Sequence, residues 1–599
     1  MTTVPARSDV PSESTWNHES VFPSFDAWRD EYQAAMADLP GFDSFKGALA
    51  QSPERLAEWF DFHQALARRV WTLYMYPVMW QACDGANEEI KGMVGQAQGL
   101  AGQFMAGAAF AEPELLALDE DLLQSWLQSD ELKLYQQHID DLLRKKKHVL
   151  SAEVEAVLGL LSDPLGRIES IRSALNDMDL DFAPADDSAG APQPLVQSTV
   201  NKLLASGDRE IRKNAWINYA DSYLKFQNTF ASTYLASVKR NVVLARLRGY
   251  ESVLHSKLSP NNIPLEVFHN LIDTYKKHIP TWHRYWDVRR RALGYETIHP
   301  WDIWAPLTSD DPLLSFSAAV DMIAAGMAPL GEDYVNTMRR GCLEQRWVDY
   351  AINDGKSEGA FSFGTYDSHP FIMMSFDGNL SSMSTLAHEL GHSMHSHYTR
   401  AHQPFVYSNY SMFAAEVASN FNQAMVRAHL FAGENSRDFQ LALIQEAMDN
   451  IHRYFFIMPT LARFEYEVHT RMENDEPLTP ATLNEIMARF YAEGYGETMT
   501  DDPLRTGITW AQFGHLYEAY YTFQYATGIS AAQALANAIL AGDDAGAVER
   551  YHAFLRAGSS DYAIPALKAA GVDMSTPRAV EETFKMLEGL VDRLEGLIE

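Results

Sequence analysis

The chain has 599 residues, of which 46% are hydrophobic and 12% aromatic. That is enough apolar material for two or more domains with buried cores, and it is unlike a disordered chain. The 80 carboxylates against 48 lysines and arginines give a formal charge of -32, which argues against nucleic acid or an anionic membrane as a partner. The only cysteines, Cys83 and Cys342, are too few for a disulfide framework or a cysteine-based zinc site and fit a reducing compartment.

In chain order, the opening segment "MTTVPARSDVPSEST" is polar and has no apolar stretch of the kind a secretory signal needs. In "PERLAEWFDFHQALARRVWTLY" the apolar positions Leu56, Trp59, Phe60, Leu66, Val70, Trp71 and Tyr74 recur at helical spacing. Trp71, Tyr74, Tyr76 and Trp80 read as core. The most apolar long stretch, "GLAGQFMAGAAFAEPELLALD", is broken by Gln103, Glu112 and Pro113 before it can span a membrane. A soluble, cytoplasmic protein is the expectation.

Ser151 is placed to cap a helix over "AEVEAVLGLL". The Pro-, Ala- and Asp-rich residues 181–197 read as a loop or irregular hairpin and as the domain boundary. The expected domains are therefore an N-terminal helical domain, 1–199, and a second domain, 200–599, that holds the motifs below. Pro264 and Pro280 bracket another predicted helix. Arg289, Arg290 and Arg291 read as a solvated helix face rather than a carboxylate site. Residues 359–380 read as a small β-element with "FIMMSF" as a strand. Thr479 and Pro480 start a helix that Gly494 is expected to end. The fold class is mostly α with a minor sheet.

The chemistry concentrates in "TLAHELGHSMHSHYTR", residues 385–400. Four residues apart on a helix, His388 and His392 share a face and can reach one ion. Imidazole nitrogen suits zinc. Glu389 lies about 60° round the helix from His392, at 100° per residue, so its carboxylate can reach a water at the metal without being a ligand. There it can accept a proton during attack and return it to a leaving amine. His395 shares the face of His388 but lies about 10.5 Å along the axis, which makes it a packing or supporting residue. His397 is expected at the surface. Tyr398 stands where a third histidine of a longer zinc motif would be. After His392 the next carboxylate is Glu416, on a predicted helix with Met412, Phe413 and Asn420 on its face. Its burial there would be costly unless it were paired or metal-bound, so Glu416 is the expected third ligand of one Zn2+ per chain.

"HELGHSMH", followed by "FAAEVAS", resembles the thimet-oligopeptidase-like zinc metallopeptidases, and more narrowly their oligoendopeptidase F branch. "RFEYEVHTR" at 463–471, "YAEGYGE" at 491–497 and "HLYEAYYTFQYATGISAA" at 515–532 agree, as do weaker segments in the first half. The resemblance implies a bilobed, helical, zincin-type body with a small sheet near the active site. It also implies a deep substrate channel that admits only short unstructured peptides. It makes His388, His392 and Glu416 the metal ligands and Glu389 the base, and "FIMMSF" the strand that pairs with substrate. His515 and Tyr521, then Tyr517, become the donors to the oxyanion; Phe523 stands where that branch is expected to carry Tyr.

The implied function is zinc-dependent endopeptidase action on short peptides. The rivals are a dipeptidyl carboxypeptidase on the same scaffold and a catalytically silent helical peptide-binding protein, which would have no use for Glu389.

Overall fold

The computed structural model describes residues 4–309, 312–433 and 436–599. The chain is mostly helical. Among the described residues the strands form one hairpin, β1 (Ala185–Asp186) antiparallel to β2 (Pro192–Gln193), and one three-stranded sheet of β3 (Val348–Asp349), β4 (Phe361–Phe363) and β5 (Phe371–Met373). In that sheet β5 is central, parallel to β3 and antiparallel to β4. The strand predicted at "FIMMSF" is therefore present, but it cannot pair with a peptide, because both of its edges are taken. The edge strands are β3 and β4.

Contacts divide the chain into two compact units, each assembled from separate stretches. The first comprises residues 1–147, 313–430 and 538–571; the second comprises 148–312, 431–537 and 572–599. The predicted hairpin at 181–197 is found, but it lies inside the second unit, so the 199/200 boundary is not where the contacts divide. A turn-rich segment ends local structure without having to end a core.

In the first unit, helix Pro53–Cys83 packs along helix Glu88–Ala108. One apolar cluster joins Trp16, Trp28, Leu66, Tyr76 and Leu100 to Phe371 and Met373 of β5. Trp71 departs from its predicted core position, with 37% exposure. Helix Leu380–His402 begins at Asn379, whose side chain accepts from the Ser382 amide while Ser382 accepts from Asn379 in return. This reciprocal cap fixes the start of the helix at Leu380. Its last turns rest on helix Ala547–Ala557, where the Thr399 hydroxyl donates to the Leu555 carbonyl at 2.8 Å. Both cysteines are buried and free.

In the second unit, helix Leu265–Ala292 packs along Arg578–Ile598. It runs through Pro280 rather than stopping there. Arg289 is fully buried instead of solvated, and donates to the Asp302 carbonyl at 3.2 Å and to Gln445 Oε1 at 3.3 Å. Arg290 and Arg291 do face outward, with Asp287 as their neighbour. Helix Pro480–Tyr495 is capped by Thr479 as predicted, but it ends at Gly496, with φ +62. Gly494 serves packing instead, since a Cβ there would meet Phe456 at 2.7 Å. Among the described residues no helix is long and apolar enough to cross a membrane.

Candidate functional site

His388, His392 and Glu416 come together in the first unit. One ligand atom from each lies within 4.8 Å of the others. His388 Nε2 is 3.5 Å from Glu416 Oε2, and the two imidazole centroids are 4.9 Å apart with planes at 83°. The histidines come from Leu380–His402 and the carboxylate from Met412–Ala432. Gly391 makes their meeting possible. A Cβ there would sit 2.4 Å from the Ala418 carbonyl oxygen and 2.5 Å from the Ser419 Cα. The backbones touch where a side chain would hold them apart, one residue from His392 and two from Glu416.

The ligand side chains are held from behind. His388 Nδ1 is 3.1 Å from Gln423 Oε1, and Gln423 in turn donates to Ser384 Oγ at 2.8 Å. A proton on Nδ1 leaves Nε2 with a free lone pair toward Glu416. The Ser419 hydroxyl donates to Glu416 Oε2 at 3.1 Å. Burial, then the nearness of His388, drives the pKa of His392 well below the ordinary histidine value. It is neutral at physiological pH, as a metal ligand must be. Sequence reasoning missed Gln423 and Ser419, because a lone Gln or Ser on a helix carries no periodic signal.

Glu389 is buried, with its Oε2 lacking a hydrogen-bond partner among the described residues. Its pKa is raised to about 7, first by burial and then by the Glu416 charge, while His388 and a backbone hydrogen bond from Ser362 of β4 pull the other way. A carboxyl poised near neutrality can both accept and return a proton. β4 is tied to the same helix, with Ser362 Oγ 2.8 Å from Ser393 Oγ.

His395 takes the packing role predicted for it. It is buried and stacked on Tyr410 at 3.7 Å, and the Tyr410 hydroxyl donates to the His392 carbonyl at 3.3 Å. Burial lowers the His395 pKa to about 3. His397, expected at the surface, is half-buried, 5.8 Å from the Trp347 ring.

The predicted oxyanion donors belong to the second unit. His515 and Tyr521 line one cavity there, with ring centroids 5.9 Å apart. The Tyr525 hydroxyl donates to that of Tyr521 at 3.2 Å. Burial first, then Arg453 and Arg172, lower the pKa of His515 to about 4. Tyr517 does not share their setting. It is buried, and its hydroxyl is 2.7 Å from Thr233 Oγ1. Between these residues Tyr520 adopts a left-handed φ of +58, costly for a residue with a side chain. Its amide donates to Glu465 Oε1 at 2.7 Å. Burial raises the Glu465 pKa to about 8.

The model of peptidase family M3 matches residues 202–586, and that of oligopeptidase F matches residues 114–182. The chain belongs to peptidase family M3. This M3 peptidase is 38% identical over 597 residues to oligopeptidase PepF of Bacillus subtilis, covering 99% of this chain and 89% of that one. It is 32% identical to group B oligopeptidase PepB of Streptococcus agalactiae, covering 99% and 98%. Among solved structures, one from Chlamydophila abortus aligns with a TM-score of 0.90 at 30% identity over 99% of this chain and all of that one. Oligoendopeptidase-F from Enterococcus faecium aligns at 0.75 and 28% identity, over 96% and 99%. The M3 peptidase is thus a metallopeptidase, hydrolysing peptide bonds with metal dependence.

Proposed function

We propose that this M3 peptidase is a zinc-dependent oligoendopeptidase that cuts internal bonds of short peptides. The observation that carries the reading is the His388–His392–Glu416 cluster with Glu389 beside it, whose Oε2 has no hydrogen-bond partner among the described residues. Two imidazole nitrogens and one carboxylate are a donor set that suits a catalytic zinc ion. Bound there, zinc would polarise the scissile carbonyl and make water more acidic. Glu389 accepts the proton of the attacking water and returns it to the departing amine. His515 and Tyr521, by their likeness to the family's donors, supply hydrogen bonds to the oxyanion that develops. Tyr517, whose hydroxyl is engaged by Thr233, supports that loop from within. Relatives named as oligoendopeptidases favour endopeptidase action on short peptides.

The test uses a peptide of about ten residues blocked at both ends, with wild-type protein and Glu389→Gln. Mass spectrometry is expected to find internal cleavage by wild type. In Glu389→Gln, kcat falls by about 10²–10⁴-fold, while one zinc per chain is retained. Trimming only of the free-ended twin would replace this reading with a dipeptidyl carboxypeptidase.

A further inference from the structure

The second unit holds a cavity of about 660 Å³, lined by Trp216, Tyr219 and Trp304 as well as His515 and Tyr521. Two cations line it too, Arg172 and Arg453, and among the described residues neither forms an ion pair. Arg172 is poorly satisfied. Its Nη2 reaches only the Asn176 side chain and the Gln512 carbonyl, each at 3.4 Å, and its buried Nε has no partner. Those distances are long for hydrogen bonds to a guanidinium. The loop makes room for it, since a Cβ on Gly514 would be 2.9 Å from Arg172 Nη1. The guanidinium thus lies against the residue just before His515. Arg453 approaches from the start of another helical segment, and its charge acts on His515 together with that of Arg172. Two carboxylates, Glu169 and Glu518, also line the cavity; Glu518 pairs with Lys257 at 3.3 Å. A partly desolvated cation without a counter-ion is costly, and a cavity that keeps one is suited to an anionic group brought by a ligand.

We propose that this cavity is a subsite for a peptide carboxylate, held by Arg172 and Arg453, with an adjoining apolar side chain against the tryptophans. Arginine is the residue type for this task, because its planar fork matches both oxygens of a carboxylate. The proposal rests on the protein being a peptidase, which brings peptides to it, and not on zinc or on Glu389 as base. The carboxylate has two possible sources: the C-terminus of the peptide or an acidic side chain.

Titration calorimetry on the full-length Glu389→Gln chain reads binding without requiring turnover. Three hexapeptides of one apolar sequence serve as probes: the free acid, its C-terminal amide, and an amide carrying Glu at the last position. The free acid is expected to bind about tenfold more tightly than the plain amide, equal to about 1.4 kcal/mol. In Arg172→Gln/Arg453→Gln that advantage falls to about twofold or less, and Arg→Lys at both positions restores part of it. Tight binding of the Glu amide alone assigns the subsite to an acidic side chain and keeps the proposal. Equal binding of all three probes by the chain with both arginines intact overturns it, and so does an acid preference that survives loss of both arginines. Residual hydrolysis by Glu389→Gln would count against Glu389 as base and leave the acid-to-amide comparison standing.

Discussion

In the first unit the three ligand atoms are set by two helices whose close approach is permitted by Gly391. In the second unit His515 stands beside Gly514 and Tyr521 beside a left-handed Tyr520, whose amide is held by the buried carboxyl of Glu465. The contrast is between geometry carried by helix period and geometry carried by a strained loop. Errors in the first region should appear as lost metal. Errors in the second should leave metal in place and appear in turnover or in stability.

The largest effect that separates them is expected from Tyr521→Phe. It removes one hydroxyl from the proposed oxyanion donors, so kcat should drop by about 10²-fold, with KM and zinc content nearly unchanged. Stopped assays with metal analysis on the same samples check this, and a wild-type kcat would remove Tyr521 from the mechanism. Gln423→Ala works on the other region. Without its contact to His388 Nδ1, zinc affinity should fall by about 10–100-fold, read by competition with a chelator. Gly391→Ala forces apart the two helices that carry the ligands. It is expected to cost about 1–3 kcal/mol of stability and to weaken zinc as well, whereas unchanged zinc affinity would mean that the crossing does not position Glu416.

The smallest effect is one of pH. Glu465 has a folded-state pKa of about 8, above the ordinary carboxyl value. Between the two values the native state holds a proton that the unfolded chain has lost, so the contribution of Glu465 to stability declines as pH rises through that window. Glu465→Gln cannot titrate, and its amide oxygen can still accept from Tyr520. Its Tm should therefore gain on that of wild type, by a few degrees, between about pH 5 and pH 8. Parallel Tm curves would show that the Glu465 carboxyl does not carry the raised pKa.

The same contrast explains what was legible in the sequence. His388, His392 and Glu416 were readable because four-residue spacing on a helix is already a distance, and because a carboxylate on an apolar face asks for a partner. Pro280 and Gly494 misled because a proline or glycine can be kept inside a helix, at Gly494 to admit the Phe456 ring. The "FIMMSF" strand was found, but its place between β3 and β4 was not, since pairing order depends on segments that local pattern does not connect. Arg172 and Arg453 were invisible for the same reason: neither belongs to a motif, and only folding brings both to one cavity.

Because the first unit includes 538–571, it cannot be completed until that stretch has been made. The ligand-bearing helix leaves the ribosome well before helix Ala547–Ala557, against which Thr399 rests. The second unit is in turn interrupted by the first and closes only with 572–599. Neither unit can be excised as a continuous segment. During synthesis the helices that carry His388, His392 and Glu416 precede the stretch that completes their unit, and they stay partly uncovered until it arrives.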